Sequence, residues 1–188
     1  MEEPEVSVMI RSDRLDLLPF TPELIEAMIL ADAGGLRRIV GARFSAGLVP
    51  PLMEDALPMM LEALRANPSP WWGWICVDRD LGEAVGAIGF AGPPASNGKV
   101  QMGYAVFPRF EGHGYATEAA LAAIRWAFTQ PDVVAVRATI PPWNGGSIRV
   151  AEKVGMKLTG DAEDDEVGPV LVYEVADNII DTHPLHIH

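Results

Sequence analysis

The chain has 188 residues, 49% of them hydrophobic, with 26 acidic against 14 basic residues and a formal net charge of −12. That length and apolar content favour one folded domain, with a core over roughly 8–176 and a tail over 177–188, and exclude a disordered chain. The charge disfavours nucleic acid as the main partner, because such a surface repels phosphates. No apolar run approaches the roughly 20 residues of a membrane span, and "MEEPEV" lacks the basic-then-apolar order of a secretory leader. One cysteine, Cys76, leaves no internal disulfide framework, so a reducing cytoplasm is the expected compartment. The acidic surface favours cationic molecules such as amines, although solubility alone explains it equally well.

"VSVMIRSDRLDLLPF" (6–20) alternates apolar residues and reads as a first strand. Thr21 as N-cap and Pro22 at the first helical position open a helix over 21–32, which Gly34-Gly35 ends. A second helix fits 53–67, with Pro58 kinking or restarting it. From Trp71 the texture changes. "WWGWICVDRD", "AVGAIGFAG" and "KVQMGYAVF" are strands joined by short turns, an antiparallel meander. A glycine loop then leads into a helix over 115–129 whose inward face is mostly alanine. "VVAVRATI" (133–140) is a strand and "NGGSIRVAEKVG" (144–155) a helix ended by Gly155. "MKLTG" and "PVLVYEV" form a closing pair around the acidic loop "DAEDDEV". The sum is one α+β domain with a mixed, mostly antiparallel sheet, in the order β-α-α-β-β-β-α-β-α-β-β.

The stretch "RFEGHGYATEAA" (109–120) carries the chemistry. Two glycines, one residue apart, allow φ > 0 and a close backbone approach. The helix behind them offers free N–H groups and a partial positive charge, which suits a phosphate. A P-loop needs Gly-Lys-Ser/Thr, and here Tyr115 follows Gly114. A dinucleotide fingerprint needs a small residue where Thr117 stands, on the first turn of a parallel unit. The strand before this loop belongs to a meander, so that reading is weak. What remains is Arg-x-x-Gly-x-Gly opening a helix after an antiparallel strand, with Arg109, His113, Arg149 and Lys153 near enough to offset a polyanion.

"VGAIGF", "QMGYAVFPRFEGHGYATEAALAAIRWAF" and "NGGSIRVAEKVGM" together resemble the GCN5-related N-acetyltransferases, especially the branch of the ribosomal-protein alanine N-acetyltransferases. The similarity covers roughly residues 10 to 176. It implies acetyl-CoA as the donor substrate, with no metal, and a primary amine as acceptor, on a peptide N-terminus or a small molecule. The amine attacks directly in a ternary complex. Backbone amides from Glu111, Gly112, His113, Gly114, Tyr115 and Ala116 would hold the pyrophosphate, with Arg109 beside them and Thr117 adding a hydroxyl or capping the helix. The strand before the loop would pair with the pantetheine arm near Ala105, Val106 and Phe107, and the N–H of Val106 or a neighbour would polarise the thioester carbonyl. Asn144 would contact the same arm or serve as a plain N-cap.

Two departures bear on the chemistry. Gln101 stands where that branch commonly has glutamate, and an amide is no base; Glu118 is a weaker candidate beside its role toward the helix dipole. No residue is therefore named as general base. Ala151 stands where many relatives place the tyrosine that protonates the leaving thiolate. Ser147, three residues after Asn144, takes that place as candidate acid, against the simpler reading of a first-turn serine. Both departures keep open a non-catalytic CoA-binding sensor. Trp71, Trp72 and Trp74 cover the sheet or line the acceptor groove. The acidic loop 161–166 is a solvated loop, or it borders the acceptor site and draws in a cationic amine. His183, His186 and His188 read as a tail rather than a metal site. The sequence leaves the oligomeric state open, a homodimer included.

Overall fold

Thr21 lies in extended geometry and its Oγ1 accepts the Leu24 N–H at 3.3 Å, with Pro22 following at the first helical position. That cap starts α1 (Pro22–Ile29) where the sequence places it. Gly34 and Gly35, however, do not end a helix; they lie in the first turn of another. Asp32 caps α2 (Ala33–Val40) by accepting the Gly35 N–H at 2.9 Å, and a Cβ on Gly35 would lie 2.3 Å from the Asp32 carboxylate. The glycine pair serves a tight cap, and the expected two-helix entry has three helices. A 3₁₀ turn over Glu54–Ala56 precedes α3 (Leu57–Ala66), whose Pro58 sits at its start: the proline restarts the helix, as a ring lacking an N–H allows there.

The computed structural model describes residues 8–176 and 186–187. The strands are β1 (Ile10–Arg11), β2 (Leu15–Pro19), β3 (Trp74–Asp78), β4 (Glu83–Phe90), β5 (Lys99–Val106), β6 (Ala135–Ile140), β7 (Lys157–Asp164), β8 (Gly168–Ala176) and β9 (His186–Ile187). The first predicted strand is thus a hairpin, pairing Ile10 with Leu17 around Ser12 and Asp13. Among the described residues the strands form one sheet in the order β7-β8-β6-β5-β4-β3-β2-β1-β9. Every pairing is antiparallel except β5 with β6. α4 (Tyr115–Thr129) and α5 (Gly145–Lys153) complete the framework.

Helices cover both faces. α1, α2 and α3 lay Leu24, Ile25, Leu36, Leu57 and Leu64 over Ile75, Val77 and Ala87. On the other face α4 sets Ala119, Ala120, Ala123, Ile124 and Ala127 against Leu17, Trp74, Cys76, Val85 and Ile88. Alternate residues of β3 serve the two layers, the period of two expected of a strand. The small alanine face brings α4 close to the sheet. Trp126 fills the remaining gap, edge-on to Trp71 and Trp74 at 4.7 and 4.9 Å between ring centroids.

Two further expectations change. The 3₁₀ turn Pro70–Trp72 holds Trp71 and Trp72 off the strand, which begins at Trp74. Asp161–Asp164 is not a loop: it continues β7, pairing Asp161 with Leu171 and Asp164 with Gly168, and only 165–167 form the turn. β8 accepts this extension because its own apolar residues carry the pair, while β7 is an outer strand whose acids face water. His186 belongs to β9 by its backbone pairing with Arg11; His183 and His188 lie outside the described residues.

Candidate active site

β5 and β6 run side by side for three residue pairs, Lys99 with Ala135, Val100 with Val136 and Gln101 with Arg137. Beyond them β5 keeps β4 and β6 keeps β8, so the two parallel strands part. On β5, the Ala91 N–H donates to the Gln101 carbonyl at 2.9 Å and the Phe107 N–H to the Val85 carbonyl at 3.0 Å. Antiparallel alternation then turns the backbone groups of Met102, Tyr104 and Val106 toward the gap. An open strand edge inside a sheet is a place for an extended ligand to hydrogen-bond.

At the end of that gap lies the glycine loop. Gly112 (φ 76°) and Gly114 (φ 81°) are both left-handed, a conformation that a side chain makes costly. Gly114 is the N-cap of α4 and no side chain caps that end. The first helical bond, Glu118 N–H to the Gly114 carbonyl at 3.0 Å, leaves the N–H groups of Tyr115, Ala116 and Thr117 for an outside acceptor. A cleft of about 490 Å3 runs along this end of the helix. It touches Ala105 and Val106 on one strand, Glu111 to Thr117 except His113 on the loop, and Asn144 and Ser147 on α5. Arg149 and Lys153 give it positive charge against the protein's overall sign.

Three predicted residues lie apart from that lining. Phe107 is buried in the core, and its N–H faces β4. Arg109 is exposed, with Nη1 donating to Ser45 Oγ at 3.2 Å and its guanidinium over Phe110. The His113 ring is exposed and stacked on Tyr115, with Nδ1 2.8 Å from the Glu111 carbonyl oxygen. Asn144 caps α5: its Oδ1 accepts the Ser147 N–H at 3.1 Å, and the residue also borders the cleft.

Glu118 is committed elsewhere. Its carboxylate accepts the Ser12 hydroxyl, the Arg14 backbone N–H and Arg14 Nε, each at 2.7 Å. Burial pushes its pKa up, but those three donors outweigh burial and hold it below the usual carboxylate range. Arg14 also donates to the His113 carbonyl at 3.1 Å and lies over the Tyr115 ring. Below them burial, reinforced by the bond to Asp78, pushes the Tyr115 hydroxyl to a pKa of about 12; it donates to the Asp78 carboxylate at 2.7 Å. These contacts fix the loop and the start of α4 to the first hairpin. Sequence reading missed Arg14 altogether, since nothing in "RSDRL" ties it to a loop 99 residues away.

A second cavity, of about 450 Å3, opens on the α3 side of β4 and β5 and meets the cleft at Pro51, Leu52, Tyr104 and Ala105. Tyr104 therefore borders both. Its hydroxyl, whose pKa burial raises, donates to the Ser147 carbonyl at 3.0 Å. The "GY" before the loop was the available signal for it. Gln101 lines the second cavity with Nε2 donating to Thr139 Oγ1 at 3.2 Å. Of the three tryptophans, Trp72 is the one on this cavity. Ala151, 1% exposed, is core between helix and sheet. The acids of β7 are in the lining of neither space.

The two parallel strands thus part within the sheet, and an uncapped helix N-terminus with two left-handed glycines stands at the mouth of the gap. The acetyltransferase (GNAT) domain family matches residues 14–157, and the chain belongs to that family. It is 35% identical over 106 residues to the uncharacterized N-acetyltransferase YjdG of Bacillus subtilis, a match that spans 55% of this chain and 63% of that relative. Its fold is similar to that of a GNAT-family acetyltransferase from Bacillus anthracis, with TM-score 0.63 and 21% identity over 90% of this chain and 99% of the other. It is likewise similar to Mycobacterium smegmatis RimJ in complex with CoA-disulfide, with TM-score 0.63 and 19% identity over 94% and 88% of the two chains.

Proposed function

We propose that the protein transfers the acetyl group of acetyl-CoA to a primary amine by direct attack in a ternary complex. The observation that carries this reading is the meeting of two spaces at Tyr104 and Ala105, one suited to a phosphorylated arm and one open for an acceptor. The free N–H groups at Tyr115, Ala116 and Thr117 and the loop amides take the pyrophosphate. Arg149 and Lys153 offset further phosphate charge. The open edge at Tyr104 and Val106 pairs with the pantetheine arm, and the Val106 N–H polarises the thioester carbonyl. Ser147 and Tyr104 stand nearest the departing sulfur, with Ser147 as the candidate acid.

Gln101 and Ala151 favour a second reading, a CoA-binding sensor without turnover. One measurement separates them. Acetyl-CoA is bound by titration calorimetry, and free thiol is then followed with time across a panel of amines. Amine-dependent thiol release supports the transferase, and tight binding without release supports the sensor.

A further inference from the structure

The cavity on the α3 side of β5 has a lining at odds with the protein's charge. Its walls are Leu52, Met53, Met59 and Met60 from the segment entering and forming α3, with Phe20, Trp72 and Phe90 around a floor of β4 and β5. Its hydrogen-bonding side chains include Gln101, Thr139, Tyr104 and Trp72; Gln101 Nε2 donates to Thr139 Oγ1, and the Tyr104 hydroxyl donates to the Ser147 carbonyl. Among the described residues the lining is uncharged, while the chain carries −12. Leu52, 93% exposed with φ 66°, holds an apolar side chain at the rim where the two spaces meet.

We infer that the acceptor is a small, weakly basic primary amine on an apolar or aromatic body, seated in this cavity with its nitrogen toward Tyr104 and Ala105. The inference rests on the acetyl-transfer reading and names its substrate class. A volume of about 450 Å3 falls in the range of small-molecule sites, about 300–1,000 Å3. Flexible methionines adapt to an irregular apolar shape. An ammonium ion moved into such a lining loses its hydration without gaining a counter-charge, so the cavity selects the neutral amine.

The chemistry points the same way. The amine nitrogen forms the new N–C bond with its lone pair, and the C–S bond breaks with its electrons going to sulfur. The nitrogen's surplus proton leaves to water, and the thiolate gains a proton. A lone pair must exist beforehand. At pH 7 an amine of pKa near 10.4 is neutral in only about one molecule in 2,500, whereas an α-amino group of pKa about 7.8 is neutral in about one in seven. Gln101 cannot accept a proton, so the neutral fraction that the substrate itself supplies sets the rate. Gln101 Oε1 is then an acceptor that orients an amine N–H, a positioning role.

The test uses the full chain with acetyl-CoA and four acceptors: phenylalanine amide, an aniline, spermidine and a tripeptide beginning with phenylalanine. The expected result is a kcat/KM at pH 7 at least a hundredfold higher for phenylalanine amide and the aniline than for spermidine, with the gap to spermidine narrowing as pH rises toward 9. Met59→Glu, at an exposed rim position, should cut the rate with phenylalanine amide about tenfold and leave acetyl-CoA affinity unchanged. Preference for spermidine at pH 7, with turnover intact, overturns the inference and leaves acetyl transfer standing. A tripeptide that far outruns both small amines overturns the small-molecule assignment. Acetyl-CoA binding with no turnover on any amine overturns the reading beneath it.

Discussion

Arg14 holds Glu118 twice, through its backbone N–H and its Nε, each 2.7 Å from the carboxylate, across 104 residues of sequence. The same guanidinium reaches the His113 carbonyl inside the glycine loop. Glu118 thereby ties the first hairpin to the start of α4 beside the glycine loop. Glu118→Gln should destabilise the protein by about 1–2 kcal/mol, the low end for charge-assisted bonds because Arg14 is partly exposed. It should also weaken acetyl-CoA binding several-fold, read by urea unfolding and calorimetry. The pKa of Glu118 is lowered in the folded protein, so its contribution is present above the unfolded value near 4.5 and is lost as pH falls through the folded value. The stability gap between wild type and Glu118→Gln should be constant from pH 6 to 8 and shrink in acid below about 4.5. A gap that widens in acid refutes the tie.

Gly114→Val should lose acetyl-CoA affinity while circular dichroism stays native. A branched side chain at φ 81° costs about 1–2 kcal/mol. Its Cβ would stand 3.4 Å from Arg14, and its branches would crowd the amides to which the proposed function assigns the pyrophosphate. Unchanged affinity by calorimetry would remove the loop from the site.

Ser147→Ala should lower kcat by about ten- to a thousandfold, within the range of general acids, with acetyl-CoA affinity hardly moved. Tyr104→Phe removes the hydroxyl that holds the Ser147 carbonyl and should lower kcat by a smaller factor. If the serine variant keeps full rate while the tyrosine variant slows, the proton comes from Tyr104. Pre-steady-state thiol release at saturating acetyl-CoA separates the two.

The positive charge in the cleft at the glycine loop is local, so under the proposed function salt should act on one substrate only. Arg149→Ala and Lys153→Ala should each raise the KM for acetyl-CoA about three- to tenfold, and the effect should fade above about 0.5 M salt, where screening is short-ranged. The KM for an apolar amine should stay flat across the same range. A salt-dependent KM for the amine would return the acidic surface to a part in acceptor binding.

Much of the frame was legible because its signals are local. The Thr21-Pro22 cap, the alanine face of 115–129 and the Gly-x-Gly entry each declare themselves within a few residues. The misreadings came where one local pattern has two outcomes. Gly34-Gly35 looks like a helix stop, yet Asp32 turns it into a helix start. "DAED" looks like a solvated loop, yet backbone pairing with β8 is indifferent to side-chain charge at an outer strand. Tyr104 had the local "GY" as its signal, whereas Arg14 and the uncharged cavity on the α3 side of β5 were invisible for a different reason. Each depends on which distant segments the sheet order brings together, and one sequence shows no pairing.

The parting of β5 and β6 leaves two bare strand margins in the middle of the sheet. A bare margin on the outside of a protein invites another chain to add on, and proteins usually guard it with charge or proline. Here the two margins lie inside the sheet, with β4 beyond one and β8 beyond the other, rather than at its outer edge. Their place in mid-sheet thereby also keeps them away from the outer edge, where copies of a protein join strand to strand.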